Sequence, residues 1–150
     1  MSIVAQRMTD NHNGPLVVFL IGMRINHFHK LGRWWPVFQA MGPMLRELGE
    51  NPDSGFLGSE FAWVSPRQVL LLQYWRSFDA LEDYARNRDA HHWPAWTDFN
   101  RRIGKDGTVG IYHETYAVAG GAHESVYVNM PPFGLGRFAG SVPATGSRNA

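Results

Sequence analysis

The chain has 150 residues, the usual size of one domain, and its net charge of +1 with 18% charged residues provides no broad basic surface for nucleic acid. It contains no cysteine, so disulfides, thiolate metal sites and cysteine nucleophiles are excluded, and histidine, carboxylate and hydroxyl chemistry remain. Aromatic residues make up 13% of the chain, which suits either a thick core or an apolar ligand pocket.

Four segments have strand character, because each is rich in β-branched or aromatic residues and is bounded by Gly, Pro, Asn or Ser. They are Leu16–Ile25, Phe56–Val64, Gln68–Arg76 and Val109–Val118. Between the first two, apolar residues recur at helical spacing from about Pro36 to Glu50, with a kink expected at Gly42-Pro43. Between the last two, Ser77 is placed to cap a helix, and a second helical piece is expected from about Asp89 to Ile103.

The element order is therefore β-α-β-β-α-β, which predicts an α+β, ferredoxin-like fold with helices on one face of an antiparallel sheet. The first strand is apolar on both faces, so we expect the free face of the sheet to be buried against a second copy in a homodimer. Residues 1–150 are expected to form one domain, with a core at about 15–120, a packed C-terminal arm at 121–140 and a frayed tail at 141–150.

The N-terminal segment MSIVAQRMTDNHNG lacks the apolar core of a signal peptide. The longest apolar run, PLVVFLIGM, is about half as long as a membrane span. We therefore expect a cytoplasmic protein that binds neither membrane nor nucleic acid.

Two regions contain histidines that could carry chemistry, whereas His12, His27, His29 and His123 fall in loops or termini and are expected at the surface. In RDAHHWPAWTDFNRRI, helical spacing places His92, Trp96 and Phe99 on one apolar stripe. His92 would then face the sheet and His91 the solvent, but Pro94 leaves the phase of the helix open, so either can be the inner histidine.

The last predicted strand contains GIYHETY, in which a histidine and a glutamate are adjacent. Alternation places His113 with Val109 and Ile111 on the helix-facing side, and Glu114 on the other side, where it could face a dimer partner or pair with an arginine. His113 and the helical histidine would then converge on an aromatic-lined interior. The alternative is that each is a hydrogen-bonded core histidine.

The segment QYWRSFDALEDYARNRDAHHWPAW, together with VVFLIGMRIN and LRELGENPDSGFLG, resembles the dimeric α/β-barrel superfamily over roughly residues 3–140. The resemblance is to a small monooxygenase-like family related to the antibiotic biosynthesis monooxygenases and the haem aldoxime dehydratases. It implies a small hydrophobic substrate, or a haem, between the sheet and its helices.

The resemblance to the aldoxime dehydratases implies specific roles. Those enzymes have a proximal histidine in an H-P-T-H context on this helix and a catalytic histidine in an H-E-V context on the final strand. DAHHWPAW and YHETY occupy equivalent places here. They imply His92, or His91, as the axial ligand of haem b, with Trp96 and Phe99 beside it, and His113 as the catalytic acid/base.

The leading prediction is a monooxygenase-type oxidoreductase, with haem b as the cofactor that the resemblance implies. The alternatives are an aldoxime dehydratase-like lyase, a cofactor-free oxygenase with His113 or Tyr74 as base and Trp75 beside the substrate, and a non-catalytic ligand-binding protein. Tyr74 and Trp75 can also be simple strand packing. The nucleophile elbow, the dinucleotide fingerprint and the P-loop are missing from the sequence.

Overall fold

The computed structural model describes residues 2–39, 46, 54–86 and 107–145. The strands are β1 Val4–Asp10, β2 Leu16–Ile25, β3 Phe56–Ser65, β4 Gln68–Trp75, β5 Val109–Val118, β6 Tyr127–Met130 and β7 Ser141–Pro143. The helices are α1 Leu31–Gln39, α2 Phe78–Arg86 and α3 Gly134–Phe138. None of the helices in these ranges is long and apolar enough to cross a membrane.

The main sheet has the strand order β3-β4-β2-β5, and each neighbouring pair is antiparallel. The first core strand, β2, therefore lies between β4 and β5, as in a ferredoxin-like fold. This confirms the predicted α+β class. β2 and β5 begin and end where the sequence predicted, and β3 and β4 differ by one residue each at their C-terminal ends.

The helix after β4 begins as predicted. The Ser77 hydroxyl accepts a hydrogen bond from the backbone N–H of Ala80 at 3.1 Å, which satisfies a donor that the first helical turn leaves free. Leu81 is the buried residue of α2 and packs against Trp75 of the neighbouring strand.

The first helix begins earlier than predicted. α1 begins at Leu31, five residues before the expected start, and Pro36 lies inside it instead of opening it. Proline is favoured in the first turn because it lacks an N–H, but α1 tolerates it in its interior. The expected kink at Gly42-Pro43 and the expected helical piece from Asp89 to Ile103 lie outside the described residues.

A second sheet, with strand order β6-β1-β7, joins the two ends of the chain and was not predicted. The expected frayed tail is wrong for residues 141–143, since they form β7 and pair with β1. The C-terminal arm packs on the chain's own main sheet, where the ring of Phe138 lies over Gly58 of β3. A Cβ built on Gly58 would lie 2.3 Å from that ring, so the close approach requires glycine.

The helix-covered side of the main sheet contains two separate hydrophobic clusters. One consists of Met23, Ile25, Val69 and Val109, with Trp34 and Phe38 of α1 and Ile111 packed against it. The other consists of Val17, Trp75 and Leu81, with Phe19, Phe56, Ala80 and Tyr84 packed against it. The two helices thus cover opposite ends of the same face.

Candidate functional site

The register of the main sheet assigns each side chain to one of two faces. Val17 and Ile21 of β2 pair with Trp75 and Leu71 of β4, and Ile21 also pairs with His113 of β5. Directly paired residues share a face, and so do residues two positions apart in a strand. Trp75 and His113 therefore lie on one face, the face that α1 and α2 cover, which we call the helix-side face.

Between the two hydrophobic clusters, the helix-side face has a band of side chains that we call the central strip. Its members are Phe19, Ile21, Leu71, Gln73, His113 and Thr115, which are cross-strand neighbours in two adjacent rows. Leu71 and Gln73 are buried, Phe19 and Ile21 are half-buried, and His113 is exposed. The strip thus presents an imidazole beside the half-buried apolar side chains of Phe19 and Ile21.

His113 is the titratable side chain of the central strip. Its ring centroid lies 5.7 Å from that of Phe19, with the two rings tilted by 41°. No described residue forms a hydrogen bond to the His113 ring. Its nitrogens are therefore available, within the described part of the chain, to exchange a proton with a ligand lying on the strip.

Glu114 lies on the other face, opposite Leu20 of β2. Its carboxylate accepts a hydrogen bond from the Tyr116 hydroxyl, and this bond and the carboxylate charge raise the pKa of that phenol. Neither Arg24 nor Arg76, the two arginines considered as partners, pairs with Glu114 in this structure, and Arg24 donates to the Asn26 side chain instead. His113 and Glu114 are therefore neighbours in sequence that serve different faces.

A cavity of about 210 Å³ adjoins the central strip where α1 crosses the sheet. Its wall contains the aromatic side chains of Phe28, Trp34, Trp35, Phe38 and Trp63, together with Met23, Ile25, Pro66, Val69 and Arg67. Met23 pairs with Val69, which pairs with Trp63, so these three residues form the cross-strand row next to Ile21 and Leu71. The cavity is the part of the described site best shaped for an apolar ligand.

Trp75, which was expected beside the substrate, lies on the helix-side face and is 0% exposed, so its side chain has no surface open to a ligand in this structure. Its ring packs against Phe56 and Tyr84, with centroids 5.3 and 5.8 Å away. Its indole N–H donates to the side-chain oxygen of Gln73 at 2.9 Å. Trp75 is therefore a core residue that fixes the orientation of an amide in the central strip.

Tyr74 lies on the opposite face of the sheet, because it pairs with Val18 while Trp75 pairs with Val17. Burial raises the pKa of its phenol, the neighbouring Tyr127 raises it further, and a hydrogen bond from the backbone N–H of Leu135 offsets part of the rise. The structure does not bring Tyr74 together with His113, so the two cannot act as alternative bases in one pocket.

The predicted cofactor residues His91, His92, Trp96 and Phe99 lie outside the described residues. None of the described residues that line the cavity is a histidine, and its volume of about 210 Å³ is below the range of about 300–1,000 Å³ that is usual for small-molecule pockets. The described part of the site therefore does not accommodate a haem by itself. Within the described ranges, no cluster of three His, Cys, Asp or Glu residues could hold a metal ion.

The structure contains a buried polar cluster around Asp10 that was not predicted from the sequence. Asp10 itself is 1% exposed. The carboxylate accepts hydrogen bonds from the Ser125 hydroxyl at 2.6 Å and the His12 backbone N–H at 2.9 Å, and lies 2.9 Å from His123 Nε2. Burial raises the pKa of Asp10, but the bonds from Ser125, His123 and His12 outweigh it, so the pKa is lowered from its ordinary value of 3.8.

His123 is thus a partner of a buried carboxylate and not the solvated residue that was expected, with its side chain 14% exposed. Ser125 donates to Asp10 and not to the imidazole, so the cluster lacks the serine–histidine bond that activates a nucleophile. No local motif signals the cluster, because its members are 113 and 115 positions apart in sequence.

With this geometry in place, the chain can be compared with known proteins. Residues 16–135 match the family described as monooxygenase af470-like. The chain belongs to this family. Monooxygenase af470 of Aspergillus fumigatus is 31% identical over 135 residues, an alignment that covers 83% of this chain and 46% of that protein. The monooxygenase af470-like chain therefore spans about half the length of the curated relative that it matches.

Two solved structures resemble this member of the monooxygenase af470-like family in fold. An aldoxime dehydratase superposes with a TM-score of 0.62 at 21% identity, over 96% of this chain and 45% of the enzyme. A conserved protein of unknown function from Bacteroides thetaiotaomicron, described as a possible oxidoreductase, gives 0.50 at 9% identity, over 71% of this chain and 99% of its own. At these identities the likeness shows the fold alone.

Proposed function

We propose that the chain is a small-molecule monooxygenase-type oxidoreductase whose hydrophobic substrate lies on the central strip and in the adjoining aromatic cavity. Membership of a monooxygenase family supports the reaction type. The observation that carries the proposal is the position of His113, an exposed imidazole whose ring centroid lies 5.7 Å from that of Phe19, beside the half-buried Ile21. An apolar site with one well-placed proton acceptor is what oxidation of an acidic C–H or O–H bond requires.

In this proposal, His113 removes a proton from the substrate. The resulting substrate anion is richer in electrons and reacts more readily with O₂. A phenol whose ring is flanked by a methylene group shows how the atoms balance. Conversion of that methylene to a carbonyl releases four electrons, which reduce O₂ so that one oxygen atom becomes the carbonyl and the other becomes water. No external reductant is needed. General base catalysis of this kind contributes about 10² to 10⁴ in rate.

Haem b held by His92, or by His91, is the cofactor that the sequence resemblance implies, and a cofactor-free reaction is the alternative. Absorption spectra of the purified protein, before and after addition of hemin, separate the two. A Soret band that is lost in His92→Ala but kept in His91→Ala would identify haem and its ligand. Spectra that hemin addition leaves unchanged apart from free hemin would remove haem from the proposal.

Oxygen uptake tests the proposed function directly. Dithranol, a dihydroxyanthrone, supplies the methylene-bearing phenol, and its conversion to the anthraquinone is followed by absorbance. We expect His113→Ala to lower the enzymatic rate about a hundredfold or more. His29→Ala, a change in an exposed loop histidine, should leave the rate unchanged. If dithranol and other polycyclic phenols are not oxidised, or if His113→Ala keeps full activity, the proposal is wrong in substrate or in base.

A lyase is the second candidate, because YHETY in β5 resembles the H-E-V context of the aldoxime dehydratases. That reaction removes water from an aldoxime and consumes no oxygen, so it can be assayed anaerobically as nitrile formation from phenylacetaldoxime. His113 would then protonate the leaving hydroxyl. Nitrile formation without oxygen uptake would replace the monooxygenase proposal, and ligand binding without either reaction would indicate a non-catalytic binding protein.

We also propose a homodimer formed through the opposite face of the main sheet. The side chains of Val18, Leu20, Leu70 and Leu72 lie on that face and are half-buried in the single chain. Among the described residues, the arm that contains Phe138 covers only the end of this face near Gly58 and Tyr74. A second copy would bury the remaining aliphatic surface. A monomeric mass by light scattering at micromolar concentration would contradict the dimer.

A further inference from the structure

Arg67 is a half-buried cation in the wall of the aromatic cavity. Its guanidinium carbon lies 5.3 Å from the centroid of the Phe28 ring, which lines the same cavity. Of the described residues that line the cavity, Arg67 alone is charged. No carboxylate in the described part of the chain lies within ion-pair distance of it. The described lining of the cavity therefore combines an apolar aromatic wall with one positive charge that no described carboxylate compensates.

A backbone hydrogen bond ties the main chain of Arg67 to the main sheet. Arg67 lies in the short connection between β3 and β4, and its carbonyl oxygen accepts a hydrogen bond from the N–H of Ile25 at 2.8 Å. The contact with Phe28 contributes cation–π attraction but does not neutralise the charge. A guanidinium partly withdrawn from water gains most from an oxyanion, to which it can donate two parallel hydrogen bonds.

The register relates Arg67 to the proposed base. The bond to Ile25 places Arg67 beside the row in which Ile25 pairs with Val109. His113 lies on the same face of β5, four residues after Val109. At about 3.3 Å per residue, the two positions are separated by about 13 Å along the strands. Met23 and Trp63 lie in the row between them, so the intervening surface is apolar.

We propose that this cavity binds the anionic end of the substrate, and that the ligand class is a flat aromatic or conjugated apolar molecule with one carboxylate or other oxyanion. Arg67 holds the anion, the ring system lies against Trp34, Trp35 and Trp63, and the remainder extends along the central strip toward His113. The catalytic outcome at His113 rests on the proposed function. The preference for an anion rests on Arg67 and the cavity alone.

Two fluorescent probes with similar ring systems test this preference. Anilinonaphthalene sulfonate has an anionic group, and phenylnaphthylamine is its neutral counterpart. We expect Arg67→Gln to weaken binding of the sulfonate roughly tenfold or more, as loss of hydrogen bonds to a charged group predicts, and to leave the affinity for the neutral probe unchanged.

Arg24→Gln is the matched control. Arg24 is near the same end of the sheet but on the opposite face, where it pairs in register with Gly110, and its removal changes the net charge by the same amount. It should leave both affinities unchanged. In the wild-type protein, added salt should weaken binding of the sulfonate and not of the neutral probe, a result that does not depend on how any variant folds.

The proposal is overturned if Arg67→Gln leaves sulfonate binding intact, if it weakens both probes equally, if Arg24→Gln acts as strongly, or if salt weakens neither probe. His113→Ala should leave both probe affinities unchanged. A failure of the anion site can therefore be told apart from a failure of the proposed function. Anion selectivity without oxidation of any phenol would support this site and remove the monooxygenase proposal. If wild type and Arg67→Gln oxidise anionic phenols at the same rate, the monooxygenase proposal is supported and the anion site is removed.

Discussion

Tyr74 and Trp75, consecutive residues of β4, occupy opposite faces of the main sheet. Tyr74 lies against Phe138 of the C-terminal arm, with ring centroids 6.3 Å apart, whereas Trp75 is fully enclosed beneath α2. Only the face of Trp75 also holds His113 and the aromatic cavity. The face assignment therefore separates Tyr74 from the side chains of the proposed site.

Replacing Tyr74 tests this separation. We expect Tyr74→Phe to keep oxidation of dithranol within about twofold of wild type, because the hydroxyl lies on the face away from His113. Loss of its hydrogen bond from the Leu135 N–H should lower the free energy of unfolding by about 1 kcal/mol in urea titrations. A hundredfold loss of turnover would instead place Tyr74 in the active site.

Trp75→Phe should destabilise the fold without removing a substrate contact. The smaller ring leaves space beneath α2 and leaves the Gln73 side-chain oxygen without the indole donor, a combined cost of about 1–3 kcal/mol in urea unfolding. Trp63→Phe, which alters a side chain that is 63% exposed, is the control and should cost less than about 1 kcal/mol. Equal losses in the two variants would contradict the buried role of Trp75.

Asp10→Asn should weaken the attachment of β1 to the segment that precedes β6. The amide removes the charge to which Ser125 and His123 bind, and we expect a loss of about 1–3 kcal/mol in the free energy of unfolding. Asp83→Asn, an exposed change in α2, is the control and should have an effect of less than about 0.5 kcal/mol.

The same carboxylate predicts a pH dependence. Because the pKa of folded Asp10 is below its ordinary value of 3.8, its contribution to stability is present above that value and is lost as the pH falls through the lower, folded pKa. The stability difference between wild type and Asp10→Asn should therefore shrink as the pH falls below about 3.8. A difference that grew on acidification would show that the sign of this pKa shift is wrong.

Leu20→Glu tests the proposed dimer. Leu20 is on the opposite face, paired with Leu72 and Glu114, and a charge there would be buried without a partner in a sheet-to-sheet interface. We expect light scattering to show a monomer for this variant and a dimer for the wild type. Phe61→Glu, on the helix-side face, introduces the same charge on the other side of the sheet and should remain dimeric.

The sequence by itself determined the main sheet and the cap of the second helix. The segments Leu16–Ile25 and Val109–Val118 alternate or are apolar throughout, and such periodicity is a local property that tertiary packing seldom overrides when it is long. It also placed His113 and Glu114 on opposite faces, because a strand alternates every residue. The capping role of Ser77 was equally local.

Tertiary structure alone decided which residues the site brings together. The pairing of β2 with β4 and β5 put Trp75 out of reach of any ligand and Tyr74 on the far face, and neither outcome follows from the composition of the strand. The second sheet, the Asp10 cluster and the position of Arg67 against Phe28 all depend on contacts between segments distant in the chain. Local patterns fix which face a strand residue takes, whereas the partner on that face is set by how the chain folds back on itself.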